Sequence, residues 1–139
     1  MKAVRVYLEQ AYRIDQRINC KIEQVSSLHS LATKANSTLT DMPGSPKRNI
    51  HRMEDIIVKS VDLENEINDD IDKLVDLKAE ITKVIKQVDD LELQSLLEQR
   101  YLNFRTWEQI AVDMGYNVRH LYRMHDQALK KVQIPKVVT

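Results

Sequence analysis

The sequence predicts an all-α protein, a long antiparallel helical hairpin with coiled-coil character followed by a three-helix helix-turn-helix unit. Three observations carry this. Glycine and proline occur only two and three times in 139 residues, and aromatics make up 5%, so both helix breakers and strand formers are scarce. Apolar residues recur at steps of three and four along two long stretches. The last third of the chain then resets into short apolar stripes separated by capping residues.

The first stripe runs Val4, Leu8, Ala11, Ile14, Ile18, Ile22, Val25, Leu28 and Ala32, which predicts a helix over 2–36. The segment from Asn36 to Pro46 loses the pattern and gathers two of the three prolines and one of the two glycines, so it reads as a loop. A loop so short favours an antiparallel return. The return stripe is Met53, Ile56, Ile57, Ser60, Leu63, Ile67, Ile71, Leu74, Leu77, Ile81, Val84, Ile85 and Val88, predicting a helix over 47–88. A helix of that length, roughly 60 Å, needs partners along it: the first helix, and then a second copy of the chain. Asp69, Asp70, Asp72 and Asp76 lack the glycine turn and alternating spacing of a calcium loop and read as a solvated acidic face.

At Asp89-Asp90, two good N-caps, the pattern resets. Leu91, Leu93, Leu96, Leu97 and Tyr101 form the stripe of a helix over 91–102. Thr106 and Gln109 have the spacing of a capping box, and Trp107, Ile110, Ala111 and Met114 face inward behind it. Gly115 stands where a helix takes a left-handed C-cap, and Asn117 caps a last helix whose inward face is Leu121, Met124, Ala128, Leu129 and Val132. The organisation expected is therefore a stem over 1–88, for oligomerisation or docking, and a DNA-binding unit over 89–139.

Charge supports this division of labour. The formal net charge is zero, yet residues 1–47 carry seven basic against four acidic side chains, 48–97 seven against thirteen, and 98–139 seven against four. An acidic middle is a poor DNA surface and a basic end a plausible one. Cys20 excludes an internal disulfide and is expected to be a buried or half-buried helix side chain in a reducing compartment. No apolar run approaches the ~18 residues of a membrane span and the start lacks the apolar core of a signal peptide. The expected location is the cytoplasm, with no membrane partner.

Enzyme chemistry finds no foothold. His120 and His125 are five apart rather than four with no cysteine beside them, and neither a glycine-rich phosphate loop nor a Ser/His/Asp constellation is present. No catalytic residue, metal or cofactor is expected, and Trp107 reads as core of the three-helix unit.

On the spacing of Arg100-Tyr101, Ile110-Ala111, Gly115 and Ala128-Leu129-Lys130-Lys131, residues 91–132 resemble region 4 of sigma-70 type factors, the domain that reads promoters. The W-E-Q-I-A-x-D-M-G-Y and L-Y-R-M-H-x-x-A-L segments are similar to a family of small phage and prophage transcriptional regulators of Gram-positive bacteria. The resemblance implies that Val118, Arg119, His120, Tyr122 and Arg123 face bases in the major groove. Arg105, Thr106 and Asn117 would touch the DNA backbone, and Lys130 and Lys131 would contact phosphates or serve solubility. Val118 replaces a charged residue common at its position, which implies a different target. A complete sigma factor also melts DNA with aromatics; none occurs between Tyr12 and Tyr101. The expectation is a DNA-binding regulator that pairs as a homo-oligomer, a dimer before other states, with RNA polymerase as a further partner. The alternatives are a small terminase-like packaging subunit and a protein–protein module that binds RNA polymerase.

Overall fold

A computed structural model describes the backbone of residues 2–41 and 46–135 and the side chains of 2–35 and 50–135. The regular structure of the described residues is entirely helical, with no strand among them. Helix α1 spans Lys2–Asp41, α2 Pro46–Lys86, α3 Leu91–Leu97, α4 Trp107–Met114 and α5 Val118–Lys131. The chain divides into two compact units, Met1–Ile14 with Leu74–Thr139, and Asp15–Lys73. No helix among the described residues is long and apolar enough to cross a membrane.

The expected loop over 36–46 is shortened from its N-terminal side. Residues 36–41 continue α1, because Asn-Ser-Thr-Leu-Thr-Asp contains neither glycine nor proline to stop an established helix. Pro46 opens α2 at the first helical position, where its missing N–H costs nothing. The remaining loop residues, 42–45, lie outside the described residues.

In the Asp15–Lys73 unit, the inward face of α2 follows Ser60, Leu63, Ile67 and Asp70, with Ile18 buried on α1. Three expectations are corrected here. Ile22, Ile57 and Ile71 are exposed rather than inward, since each lies one position off the row that meets the opposite helix. Asp70 is buried, not part of the solvated acidic face: its carboxylate accepts a 2.7 Å hydrogen bond from the Lys21 ammonium. That bond holds the Asp70 carboxyl below its ordinary value, against the opposing effect of burial. Cys20 is exposed, because it lies about 200° around α1 from the buried Ile18.

The other unit holds the larger core. Leu8 and Ala11 of α1 and Ile81, Val84 and Ile85 of α2 cluster with Leu93, Leu96, Leu97, Ile110, Leu121 and Leu129. At the edge of this unit Tyr7 donates a 2.9 Å hydrogen bond to Glu80, which together with burial raises the phenol above its usual range. Asp90 caps α3 by accepting from the amides of Glu92 and Leu93. Leu91 is exposed, not part of the inward stripe, since the helix starts there and its first position faces away from the core. Past Leu97 the helix widens into a π-helical turn, Glu98–Leu102.

Ser60 is buried with its hydroxyl unpartnered, so Ser60→Ala removes an unmet polar group. It is expected to leave stability unchanged or raise it by up to about 1 kcal/mol. Asp70→Ala strands the Lys21 ammonium and should cost about 1–3 kcal/mol. Urea unfolding of the two variants separates these opposite signs.

Candidate nucleic-acid interface

Helices α4 and α5 are joined by three residues whose roles are local. Gly115 takes the left-handed conformation at φ 74° and its amide bonds to the Ala111 carbonyl at 3.0 Å. A side chain there would meet nothing within 4 Å, so the position demands glycine for its backbone and not for space. Asn117 turns the chain into α5 by accepting a 2.8 Å hydrogen bond from the His120 amide. The Thr106 hydroxyl accepts from the Gln109 amide while the Gln109 side chain accepts from the Thr106 amide, completing the capping box of α4.

Helix α5 is divided sharply. Leu121, Met124, His125, Ala128 and Leu129 are buried. Arg119, Arg123, Asp126 and Lys130 follow steps of four, three and four on the opposite side, all exposed. His120 and Tyr122 are exposed on the two flanks of that ridge. Arg119, His120 and Arg123 border a depression of about 400 Å³ with Gly115, Tyr116 and Asn117. Val118 is half-buried and packs against the core. Its apolar character is explained by that contact.

The remaining candidates are exposed but engaged. Arg105 donates to the Gln99 side chain at 3.1 Å and lies 3.7 Å from Asp113. Lys131 meets Asp89 at 3.1 Å, while the exposed Lys130 side chain makes no hydrogen bond or ion pair among the described residues. Tyr122 packs edge-on against Trp107, their ring centroids 5.3 Å apart. The structure thus brings Asn117, Arg119, His120 and Arg123 together, and places Tyr122 with Trp107 instead. Trp107 is half-buried rather than core.

Two features escaped the sequence reading. Asp126 puts an acid on the basic ridge. His125 is the polar member of the buried face, its Nε2 2.6 Å from the Tyr101 hydroxyl. The spacing Leu121, His125, Ala128 carried that second signal, since all three lie on one helix face. Burial and the nearby Arg5 lower the His125 pKa to about 4, and burial raises that of Tyr101 to about 12. At neutral pH an uncharged imidazole therefore pairs with a protonated phenol.

The chain belongs to a family described as a protein of unknown function (DUF1492), whose model matches residues 43–133. That match spans all three short helices and the whole of α2. No curated protein and no solved structure matches the chain.

A histidine with a lowered folded pKa binds its proton more readily in the unfolded state. Stability is therefore complete above the unfolded value and declines as pH falls through 6.5 towards about 4. The loss should reach a few kcal/mol, at ~1.4 kcal/mol per pKa unit. His125→Gln can keep a hydrogen bond to Tyr101 and is expected to flatten that part of the stability profile, read by denaturant melts at successive pH values.

Proposed function

We propose that the protein is a sequence-specific DNA-binding transcriptional regulator whose helices α3–α5 form a helix-turn-helix resembling sigma-70 region 4. It is not a complete sigma factor and not an enzyme. The observation that carries this reading is the two-faced α5, with five residues buried and Arg119, Arg123 and Lys130 projecting from the opposite side beyond a left-handed glycine and a capped N-terminus. A helix held this way can enter the major groove, where each arginine can make a bidentate contact to guanine. Asp126 favours a cytosine amino group in the strand it faces, because a carboxylate only accepts there. The capping groups of Thr106 and Asn117 are already occupied by backbone amides. Their part in DNA binding is to orient helix N-termini towards phosphates. Arg105, His120, Tyr122, Lys130 and Lys131 extend the surface around that centre.

In this reading the two long helices form an antiparallel stem that pairs copies of the chain. Ile50, Ile57, Val61 and Ile71 support self-association, for they leave an exposed apolar row on α2 beside its buried one. Self-association serves a dimeric regulator docking on RNA polymerase, and equally the ring of a packaging subunit. A solution mass separates the two, with a dimer expected.

Duplexes selected from a random pool should bind with an affinity that falls steeply with salt. Arg119→Ala combined with Arg123→Ala is expected to weaken binding to the selected site on the order of a hundredfold or more. Unchanged binding would remove α5 as the reading helix.

A further inference from the structure

The chain has one Trp, one Phe and five Tyr residues. Five of these seven rings, Tyr12, Tyr101, Phe104, Trp107 and Tyr122, line a single open-sided cavity of about 660 Å³. Tyr12 comes from α1 and the others from the C-terminal helices and their connection, so the fold gathers aromatics that are far apart in sequence. Of the five only Tyr101 is buried in the core. Tyr12 and Tyr122 are 47% and 48% exposed, and Phe104 and Trp107 are half-buried. Edge-to-face packing of Tyr12 on Phe104, at 5.7 Å between centroids, and of Trp107 on Tyr122 braces the rings against one another.

Phe104 shows what the chain spends to build this wall. Its φ is 56°, and it is the only non-glycine residue with positive φ among the described residues. Left-handed backbone is unfavourable for a bulky side chain and persists only where its surroundings enforce it. The Lys78 ammonium lies 4.7 Å from the Phe104 ring centroid, and the Arg100 guanidinium 4.8 Å from that of Trp107.

The rest of the lining is polar, with Thr106, His125 and five charged side chains. Arg5, Arg13 and Arg100 face Glu9 and Asp126. Exposed ring surface suits a flat aromatic ligand, guanidinium groups suit an anion at its edge, and carboxylates accept from amino or hydroxyl donors. The volume falls within the range of small-ligand sites. We infer that this cavity binds a nucleobase bearing a phosphate, the base against the aromatic wall and the phosphate at the arginines. Such a group can come from a free mononucleotide or from an unpaired nucleic-acid strand. Tyr122 and Asp126 belong both to this lining and to the proposed reading surface, whereas Arg119 and Arg123 do not line the cavity, so replacing those two arginines tests duplex reading without altering this site.

Trp107 is the only tryptophan and part of the wall, so its fluorescence reports on the site directly. The full chain is titrated with adenosine and cytidine monophosphates, a single-stranded DNA oligonucleotide and inorganic phosphate, with calorimetry in parallel. Saturable quenching by a mononucleotide, by the oligonucleotide or by both is expected, with none from phosphate alone. A response to the mononucleotide assigns a small effector; a response confined to the oligonucleotide assigns an unpaired strand. Tyr12→Ala and Arg5→Ala, both at exposed positions, should each weaken binding by about tenfold, while Arg52→Ala, at a residue outside the cavity lining, leaves it unchanged. Absence of saturable binding to both nucleotide forms, or affinity that survives Tyr12→Ala and Arg5→Ala in folded protein, overturns the assignment.

Discussion

Helix α5 buries Leu121, Met124, His125, Ala128 and Leu129, and that commitment decides what its other face is able to do. A helix anchored by an apolar stripe cannot rotate without exposing it, so the arginine ridge is fixed relative to the core behind it. The Tyr101–His125 hydrogen bond sharpens the constraint. A buried polar pair satisfied in one geometry penalises any rotation that separates its members. The π-helical turn at Glu98–Leu102 supplies Tyr101 to that pair. The proposed reading surface and the aromatic cavity both depend on this register.

The core that anchors α5 also includes Leu8 and Ala11 near the start of α1, and Ile81, Val84 and Ile85 near the end of α2. Three short helices bury limited apolar area by themselves. Contributions from the long helices enlarge the core, and they bring Arg5, Glu9, Tyr12 and Arg13 to the cavity.

Short-range features were legible because their causes are short-range. The capping box at Thr106 and Gln109, the left-handed Gly115 and the caps at Asp90 and Asn117 each depend on residues a few positions apart, and each is present. The phase of the long stripes was less legible. Ile22, Ile57 and Ile71 are apolar and correctly spaced, yet the row that meets the opposite helix runs through Lys21, Ser60 and Asp70. A long helix with two apolar rows does not declare which row its partner covers. The aromatic cavity had no sequence signature at all. The gap between Tyr12 and Tyr101 reads as a lack of aromatic surface, whereas the fold closes it by placing Tyr12 against Phe104.

The central claim is that the exposed face of α5 reads duplex DNA. Its most direct test is backbone amide NMR of the full chain as a selected duplex is added. The account predicts shift changes concentrated at Asn117, Arg119, His120, Arg123 and Lys130, with the residues of α2 from Asp62 to Asp76 unaffected. Shifts confined to the long helices, or none with any duplex, would contradict it.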